Sequence, residues 1–490
     1  MHSSYISPID TRYKAPILSK LWSPDSKIIL MRNLWLDLAI FQKQLGITSI
    51  TDEGILEMQN AIPNVIQNAN IDYDKINDYE RRYKHDIIAH IHAFSDICPK
   101  AKSFIHLGAT SNFINDNVDM IIIKQSLDTI STLISNLFYT LKEKSEQYKS
   151  TPTLAYTHLQ QAQLTTIGKR FAMWNSDIVL DIESLKMLQM KLPFRGLKGT
   201  TGTEDTILKL FEGDHYKCDL LNKYLANKYG FTDEQSLIIC GQTYSRKYDV
   251  MIFQLMSSIC QSIYKMMNDI RLLSGKGEIY ESFGKEQVGS SAMPYKKNPI
   301  TCEKICSLAR YVINQESIMT QTYINQWLER SLDDSAVKRI IYPECFMLLE
   351  NIITETTKCI DTLVINEEYI KKQVELSMHN IITEELILNG VKMGYVRIDI
   401  HDRIRSILTK PMKCYEEDNL FENKYNIEMI KKIFESDEII SGIIKTYNIS
   451  LEPLDYIGRC IEQINTFYSH NDNKNENDNN NDNDNKMEIQ

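Results

Sequence analysis

The strongest constraint on this chain is how rarely its long stretches are interrupted by helix breakers. Residues 112–150 contain neither glycine nor proline, and the same holds for 243–273, 300–342 and 344–389. Segments of that length with apolar residues three and four apart read as long α-helices. In the first of them Ile121, Ile122, Leu127, Ile130, Leu133, Ile134, Leu137 and Leu141 keep that spacing. Its 39 residues would run about 58 Å as one helix. A single ordinary domain does not need helices that long. A bundle shared between subunits does, because one face packs within its own chain and another against a partner. The alternative is a series of shorter helices with unmarked kinks.

The expected class is therefore all-α, with a three-part subunit built on a central long-helix bundle. Residues 1–111 read as an N-terminal helical domain and 112–364 as the central bundle. Residues 365–469 read as a C-terminal helical domain broken by Gly390, Gly394, Pro411, Gly442 and Pro453. No segment shows convincing strand alternation beyond short loop edges, and there is no internal repeat. Residues 470–490 are rich in Asn and Asp, a composition that cannot bury a core, and read as a disordered tail.

Charge and cysteine usage narrow the partners and the compartment. Residues 471–490 carry a net −4 of the chain's formal −10, leaving −6 on the body. That balance argues against nucleic acid as a partner but permits a local basic pocket for a small anion. The ten cysteines have no paired spacing. Cys302 and Cys306 stand four apart on an expected helix without a second pair nearby, which favours buried free thiols over a zinc site. Free thiols fit a reducing compartment. The N-terminus lacks a basic region followed by an apolar run, and no segment approaches the length of a membrane span, so the expectation is a cytoplasmic protein with no membrane partner.

The stretch 284–299 is a polar, mobile-looking loop between two expected helices. Asn298 is a good N-cap and Pro299 suits a first helical position, so a helix should start near 299 and aim its N–H groups at the loop. Two adjacent serines, Lys296 and that helix start together suggest an anion site that also holds hydroxyls. Other candidates read less well. His85, His90 and His92 are five and two apart, a spacing that does not converge on a metal from one helix, so no metal is expected. Gly199 to Gly202 is too short for a phosphate-binding glycine loop. His215, His379 and His401 read as structural, and Asp333-Asp334 as a solvated face or helix-start charges.

Gly289-Ser-Ser-Ala-Met-Pro-Tyr-Lys-Lys-Asn-Pro299 resembles the signature of the fumarase/aspartase superfamily at every fixed position. That resemblance implies a helical homotetramer whose active sites are assembled from three subunits. His106-Leu-Gly-Ala-Thr-Ser111, Thr157-His-Leu-Gln160, Gly199-Thr-Thr-Gly-Thr203, Gly241-Gln-Thr243 and Trp327-Leu-Glu-Arg-Ser-Leu-Asp-Asp-Ser335 resemble the adenylosuccinate lyase branch, particularly its animal form. The likeness runs from about Arg12 to about residue 465.

The branch implies elimination of fumarate from an N-succinyl group of a nucleotide, without a cofactor. A proton leaves the carbon next to a carboxylate, the carbanion spreads into that carboxylate, and the departing nitrogen is protonated. Such a reaction needs a base, an acid and concentrated positive charge. By resemblance the base is Ser290 and the general acid His158, imidazole being the side chain that exchanges protons near neutral pH. Glu303 would orient that imidazole, and Lys296 and Asn298 would hold the succinyl carboxylates. Arg12, Tyr13, Lys84, His85 and Asp86 resemble the phosphate and ribose region. Thr110, Ser111 and Gln242 would grip the succinyl part, Arg330, Ser335 and Arg339 would complete the phosphate or base contacts, and Lys304 would be a further substrate contact.

Three positions depart from the branch. Gln161 stands where a proline is usual, and Lys84 and Lys304 stand where arginine is usual; lysine keeps the charge but loses the bidentate fork. Two other readings stay open at this stage. One is an argininosuccinate lyase-type superfamily member, which shares the loop and need not bind phosphate. The other is an inactive helical scaffold.

Overall fold

The computed structural model describes residues 4–62, 71–409, 434 and 436–472. The Asn/Asp-rich tail lies outside the described residues from 473 onward, as does Pro411.

The chain is mostly helical. Six helices come first: α1 (Pro8–Thr11), α2 (Leu18–Leu21), α3 (Pro24–Gln44), α4 (Asp52–Ala61), α5 (Tyr73–Tyr83) and α6 (Asp86–Ile97). Their starts follow local chemistry. Ser23 accepts from the Ser26 amide with Pro24 at the first position of α3, and Asp72 caps α5 through the Lys75 amide. Then come α7 (Ser111–Gln147), the strands β1 (Pro152–Thr157) and β2 (Gln160–Thr166), α8 (Ile167–Gln189), α9 (Asp205–Leu210) and α10 (His215–Lys228). After α11 (Lys247–Lys276) and β3 (Ile279–Tyr280) lie α12 (Ile300–Ile324), α13 (Asp333–Asp361) and β4 (Val364–Ile365). The last elements are α14 (Glu367–Ile381), α15 (Thr383–Lys392), α16 (Arg397–Leu408) and α17 (Glu438–Tyr447), with 460–472 also helical.

Two of the breaker-free segments form helices close to the expected bounds, as α7 and α11. The other two do not form single helices. The 300–342 segment breaks between α12 and α13, where the Glu329 carbonyl accepts from the Gln242 amide instead of a helical donor and Leu328 sits at φ 51°. Helix α13 then runs through Pro343, which lacks the N–H that would bond the Arg339 carbonyl. The 344–389 segment stops at 361 because Val364–Ile365 pairs antiparallel with Ile279–Tyr280. Tertiary pairing ends these helices with no glycine or proline to mark the place. The hairpin β1–β2 is a further departure from the sequence reading, which found no such strands. Its burial does not alternate cleanly, and its register slips between Leu154 and Tyr156, so the period-2 signal is absent.

The described chain divides into two compact units. Among the described residues, one comprises those within 1–137, 178–267 and 303–357, the other those within 138–177, 268–302 and 358–490. In the first, Ile114, Val118, Ile121, Ile122, Leu127, Ile130 and Ile134 of α7 are buried, together with Ile252, Met256 and Ile259 of α11 and Leu349, Ile352 and Ile353 of α13. Trp35 is buried in α3, and its indole N–H donates to Nδ1 of His106 at 2.8 Å. His106 is therefore neutral with its proton on Nε2. In the second unit the Tyr156 hydroxyl donates to Glu278, which lies 3.5 Å from Arg170, and Arg170 donates to the Leu154 carbonyl. These contacts fix the hairpin to α8. Helix α14 covers it, with Ser377 Oγ donating to Gln161 Oε1 and Gln163 to the Ile381 carbonyl.

The α7–α8 corner of the second unit has no room for a side chain at Gly168. A Cβ there would lie 2.3 Å from the Ser145 carbonyl oxygen and 2.6 Å from the Lys149 backbone. Gly168→Ala should destabilise the protein by about 1–3 kcal/mol through overpacking, seen as a lower Tm. A second expectation concerns pH. Burial pushes the imidazoles of His90 and His106 down to about 4, against an ordinary value near 6.5. Between those values the unfolded chain takes up protons that the folded chain refuses. Their stabilising contribution is therefore full above about pH 6.5 and is lost as the pH falls toward 4, at no more than about 1.4 kcal/mol per pH unit for each histidine. Denaturation midpoints at pH 7, 6 and 5 should fall in that order, and His90→Gln should make the decline shallower by about one proton. An unchanged slope in the variant would remove His90 from this account.

Candidate active site

Three long helices of the first unit meet around a buried ionic cluster. Asp116 and Asp119 come from α7, Asp249 from α11, and Asp334 and Lys338 from α13; Arg246 lies just before α11. The Arg246 guanidinium donates to Asp334 at 2.6 Å and to Asp116 at 2.9 Å, and lies 4.3 Å from the centre of the Tyr244 ring. Lys338 donates to the Tyr244 hydroxyl at 2.8 Å, and the hydroxyls of Tyr244 and Tyr342 both donate to Asp249. Lys27 pairs with Asp119 at 3.1 Å and Arg330 with Asp334 at 2.7 Å. Burial by itself would raise Asp119 and Asp334. Lys27, Lys338 and Arg246 outweigh it at Asp119, and Arg246 and Arg330 outweigh it at Asp334, so both carboxyls are held below the usual range. Burial opposes the Arg246 charge, but Asp116 and its neighbours raise the guanidinium well above its ordinary value.

This cluster forms part of the wall of a cavity of about 840 Å³. Lys84, His85, Asp86, Ser111, Gln242, Arg330, Ser335 and Arg339 also line it. The corner between α5 and α6 supplies the first three. Lys84 ends α5 in the left-handed region at φ 55°, and its amide bonds the Glu80 carbonyl. His85 caps α6, its Nδ1 facing the Ile88 amide at 3.5 Å. Nδ1 also lies 3.4 Å from Asp86 Oδ1, and Nε2 lies 3.4 Å from the Ser111 hydroxyl at the start of α7. Asp86 accepts from the Ile87 amide and from Arg339, both at 2.8 Å. The first turns of α6 and α7 thus face one cavity, an arrangement that favours a negatively charged occupant.

Gln242 is fixed at three points. Its Oε1 accepts from Asn112, its Nε2 donates to the Thr200 carbonyl and its amide donates to the Glu329 carbonyl. The Gly199–Thr203 stretch packs closely behind it. Gly202, at φ 83°, leaves no space for a Cβ against the Cys240 carbonyl. The glycines there serve close backbone approach.

Four of the sequence-derived binding residues do not line this cavity. Arg12 and Tyr13 follow α1, where their amides bond the Pro8 carbonyl. Thr110 lies beside Ser111 with its hydroxyl oxygen buried and no hydrogen-bond partner among the described residues. Lys304 is engaged elsewhere, with Glu355 at 2.6 Å. Glu303, in the first turn of α12, is exposed.

The remaining candidates belong to the second unit. His158 and Leu159 form the two-residue tip of the β1–β2 hairpin, at φ 53° and 62°, and the His158 side chain is exposed. Ser290 Oγ accepts from the amides of Ala292 and Met293 at 3.3 and 3.1 Å. Asn298 donates to the Gly289 carbonyl at 3.1 Å, and a Cβ on Gly289 would collide with the Lys296 carbonyl. Lys296 is exposed. One expectation is corrected here. Asn298 does not cap α12 with its side chain. Glu281 does so, accepting from the amides of Thr301 at 3.0 Å and Cys302 at 2.7 Å. Two of the N–H groups expected to face the loop are occupied by a carboxylate 17 residues upstream of Asn298.

Several cavity residues escaped sequence reasoning. Arg246, Asp116, Asp119, Lys27, Lys338 and Asn112 belong to no quoted motif, although Arg246 stands three residues beyond Gly241-Gln-Thr243. Asp334 does stand in the first turn of α13, as a helix-start charge, but it is not solvated: it is buried, at 1% exposure, and paired with two arginines.

Residues 50–314 match the family described as Lyase. The chain is similar to adenylosuccinate lyase of Saccharomyces cerevisiae, with 35% identity over 472 residues covering 96% of this chain and 95% of the yeast protein. It is 37% identical over 473 residues to adenylosuccinate lyase of Schistosoma mansoni, covering 94% of each. Among solved structures the fold is similar to 3-carboxy-cis,cis-muconate lactonizing enzyme from Pseudomonas putida, with TM-score 0.78, 18% identity and coverage of 94% of this chain and 98% of that one. Fumarate lyase from Mesorhizobium sp. BNC1 is similar at TM-score 0.77 and 18% identity, with coverage of 93% and 98%. With its helical fold, its signature loop and these relatives, the chain belongs to the adenylosuccinate lyase family.

Proposed function

We propose that this chain cleaves adenylosuccinate to AMP and fumarate, and in the same site cleaves the succinylated imidazole carboxamide ribotide SAICAR to AICAR, in purine nucleotide synthesis. The observation that carries the proposal is the convergence of Lys84, His85, Asp86, Ser111, Gln242, Arg330, Ser335 and Arg339 on one cavity of about 840 Å³, a volume suited to a nucleotide. Family membership supports the same substrate class. The argininosuccinate reading needs no phosphate site, and this concentration of anion-binding groups favours the nucleotide.

In this reading Ser290 takes the proton from the succinyl carbon. Its Oγ already accepts from two backbone N–H groups, donors that would stabilise the alkoxide form needed in a base. His158 protonates the departing nitrogen, and its exposed position at a hairpin tip leaves the ring accessible to a ligand. Glu303 orients the imidazole. Lys296 and Asn298 hold the carboxylate that gains charge in the transition state, so their loss lowers kcat as well as affinity. Lys84, Arg330 and Arg339 neutralise the phosphate, with Arg12, Tyr13 and Lys304 as further contacts. Thr110, Ser111 and Gln242 position the succinyl part. The working form is a cytoplasmic homotetramer, with active sites assembled from several subunits as in the superfamily. No described helix is long and apolar enough to cross a membrane.

The direct test is ultraviolet absorbance of purified protein with adenylosuccinate, with fumarate release measured alongside. A fresh tetramer that releases no fumarate would sink the proposal. Ser290→Ala and His158→Gln should each lower kcat by about 10²–10⁴-fold with the tetramer intact by sedimentation. Near-wild-type rates in either would overturn its role. Arg339→Ala should raise KM for the nucleotide and weaken competitive inhibition by AMP. Unchanged AMP inhibition would remove Arg339 from the phosphate site.

A further inference from the structure

At the base of the signature loop, in the second unit, three potential metal ligands converge. Glu281 follows β3 directly, Cys302 lies in the first turn of α12 and Cys359 in the last turn of α13. Their carboxylate oxygen and two sulfurs all lie within 4.8 Å of one another. Each residue is buried, at 7%, 0% and 7% exposure. We propose that Glu281, Cys302 and Cys359 form a binding site for a thiophilic divalent cation of the zinc class.

The geometry favours an ion over a disulfide. The two sulfurs are 3.9 Å apart. A tetrahedral ion with metal–sulfur bonds of about 2.3 Å sets two thiolates about 3.8 Å apart, whereas a disulfide needs about 2.05 Å. The sulfurs already stand at the edge length of a zinc tetrahedron. The supports are firm. Helix α12 carries one thiol, and the pairing of Ile279–Tyr280 with Val364–Ile365 ties Glu281 to the chain just beyond Cys359.

The charge balance is also favourable. Two buried thiols and a carboxylate carry one negative charge. A divalent ion that displaces both thiol protons leaves the assembly of two thiolates, one carboxylate and the ion at the same −1. The buried site thus gains an ion without a change in net charge, which limits the desolvation penalty. Glu281 can keep its hydrogen bonds to the α12 amides, since a carboxylate has about four lone-pair sites. Three protein ligands leave the fourth position to a water or another small ligand. The sequence hid this site because Cys302 and Cys359 are 57 residues apart, and the nearer Cys306 suggested only a helix neighbour.

The test uses the full-length protein, reduced with a phosphine, freed of metal with a chelator, and titrated with Cd²⁺ and separately with Co²⁺. One equivalent should produce the thiolate-to-cadmium charge-transfer band, and with cobalt the intense visible bands of a tetrahedral sulfur site. That equivalent should also raise Tm. Cys359→Ser should weaken Cd²⁺ binding by at least about tenfold, and the Cys302→Ser/Cys359→Ser double variant should lose the first equivalent and its Tm shift. If the double variant does not fold, the single variant carries the test alone. Titrations identical in wild type and Cys359→Ser, or a wild type with no band at one equivalent, would overturn the proposal.

Discussion

The first unit depends on a guanidinium that has been taken almost wholly out of water. Arg246 is 3% exposed and sits among Asp116, Asp334 and Asp249. Desolvating such a charge is expensive, and its partners offset that only when their geometry is good and their remaining atoms are satisfied. The cluster meets most of that condition by numbers. Asp116, Asp119, Asp249 and Asp334 face Lys27, Arg246, Arg330 and Lys338, four charges of each sign. Removing Arg246 would leave Asp116 a buried carboxylate without its cation, a loss of about 3–5 kcal/mol. Because the acids come from α7, α11 and α13, the cluster fixes three long helices in mutual register where hydrophobic contact alone would permit sliding.

That neutrality has a consequence for the cavity. A floor with four acids and four bases offers an anion little net attraction. Arg330 is already balanced there by Asp334, so the net attraction rests mainly on Lys84 and Arg339 and on the first turns of α6 and α7. Arg339 is held by Asp86, which is itself held by the Ile87 amide. An incoming phosphate would therefore compete with one carboxylate for Arg339 but with none for Lys84, which has no ion pair among the described residues. Lys84 thus offers the cavity a freely moving point charge and Arg339 a preset fork.

The long helices were legible because their periodicity and lack of breakers are local properties of the chain. Where the reading failed, the cause was distant. Between 300 and 342 no glycine or proline announces a break, and only Asp333-Asp334 hint at a new helix start; the break itself is made by the Gln242 amide bonding the Glu329 carbonyl. Nothing between 344 and 389 marks residue 362, because the strand there forms only against Ile279–Tyr280. The same divide runs through the site. Ser290, His158 and the Lys84–Asp86 corner stood out as parts of contiguous motifs. Most of the ionic floor did not: Arg330 and Asp334 lie in a quoted motif, but the other members, at 27, 116, 119, 246, 249 and 338, are scattered and look, one at a time, like ordinary surface charges. Glu281 displaced Asn298 as the α12 cap for a related reason, since Asn298 is the better local candidate and Glu281 arrives only through the fold.

The hairpin tip breaks a local rule at the residue proposed as the general acid. Two-residue hairpin turns with both φ values positive favour Asn-Gly, because a Cβ crowds the backbone there. Here the tip is His158-Leu159, at φ 53° and 62°, an arrangement costing on the order of 1–2 kcal/mol per residue. The surrounding structure holds it in place. Thr157 pairs with Gln160 and Tyr156 with Gln161 across the ladder, and Gln161 is bonded by Ser377 of α14. A proline at position 161, which the family resemblance would lead one to expect, would stiffen the strand by fixing φ but has neither an N–H nor an amide side chain to offer. Glutamine secures the same strand by a side-chain contact to a neighbouring helix. The strand that follows His158 is therefore held in part by the packing of α14. The aim of the imidazole in this chain depends on how firmly α14 is seated.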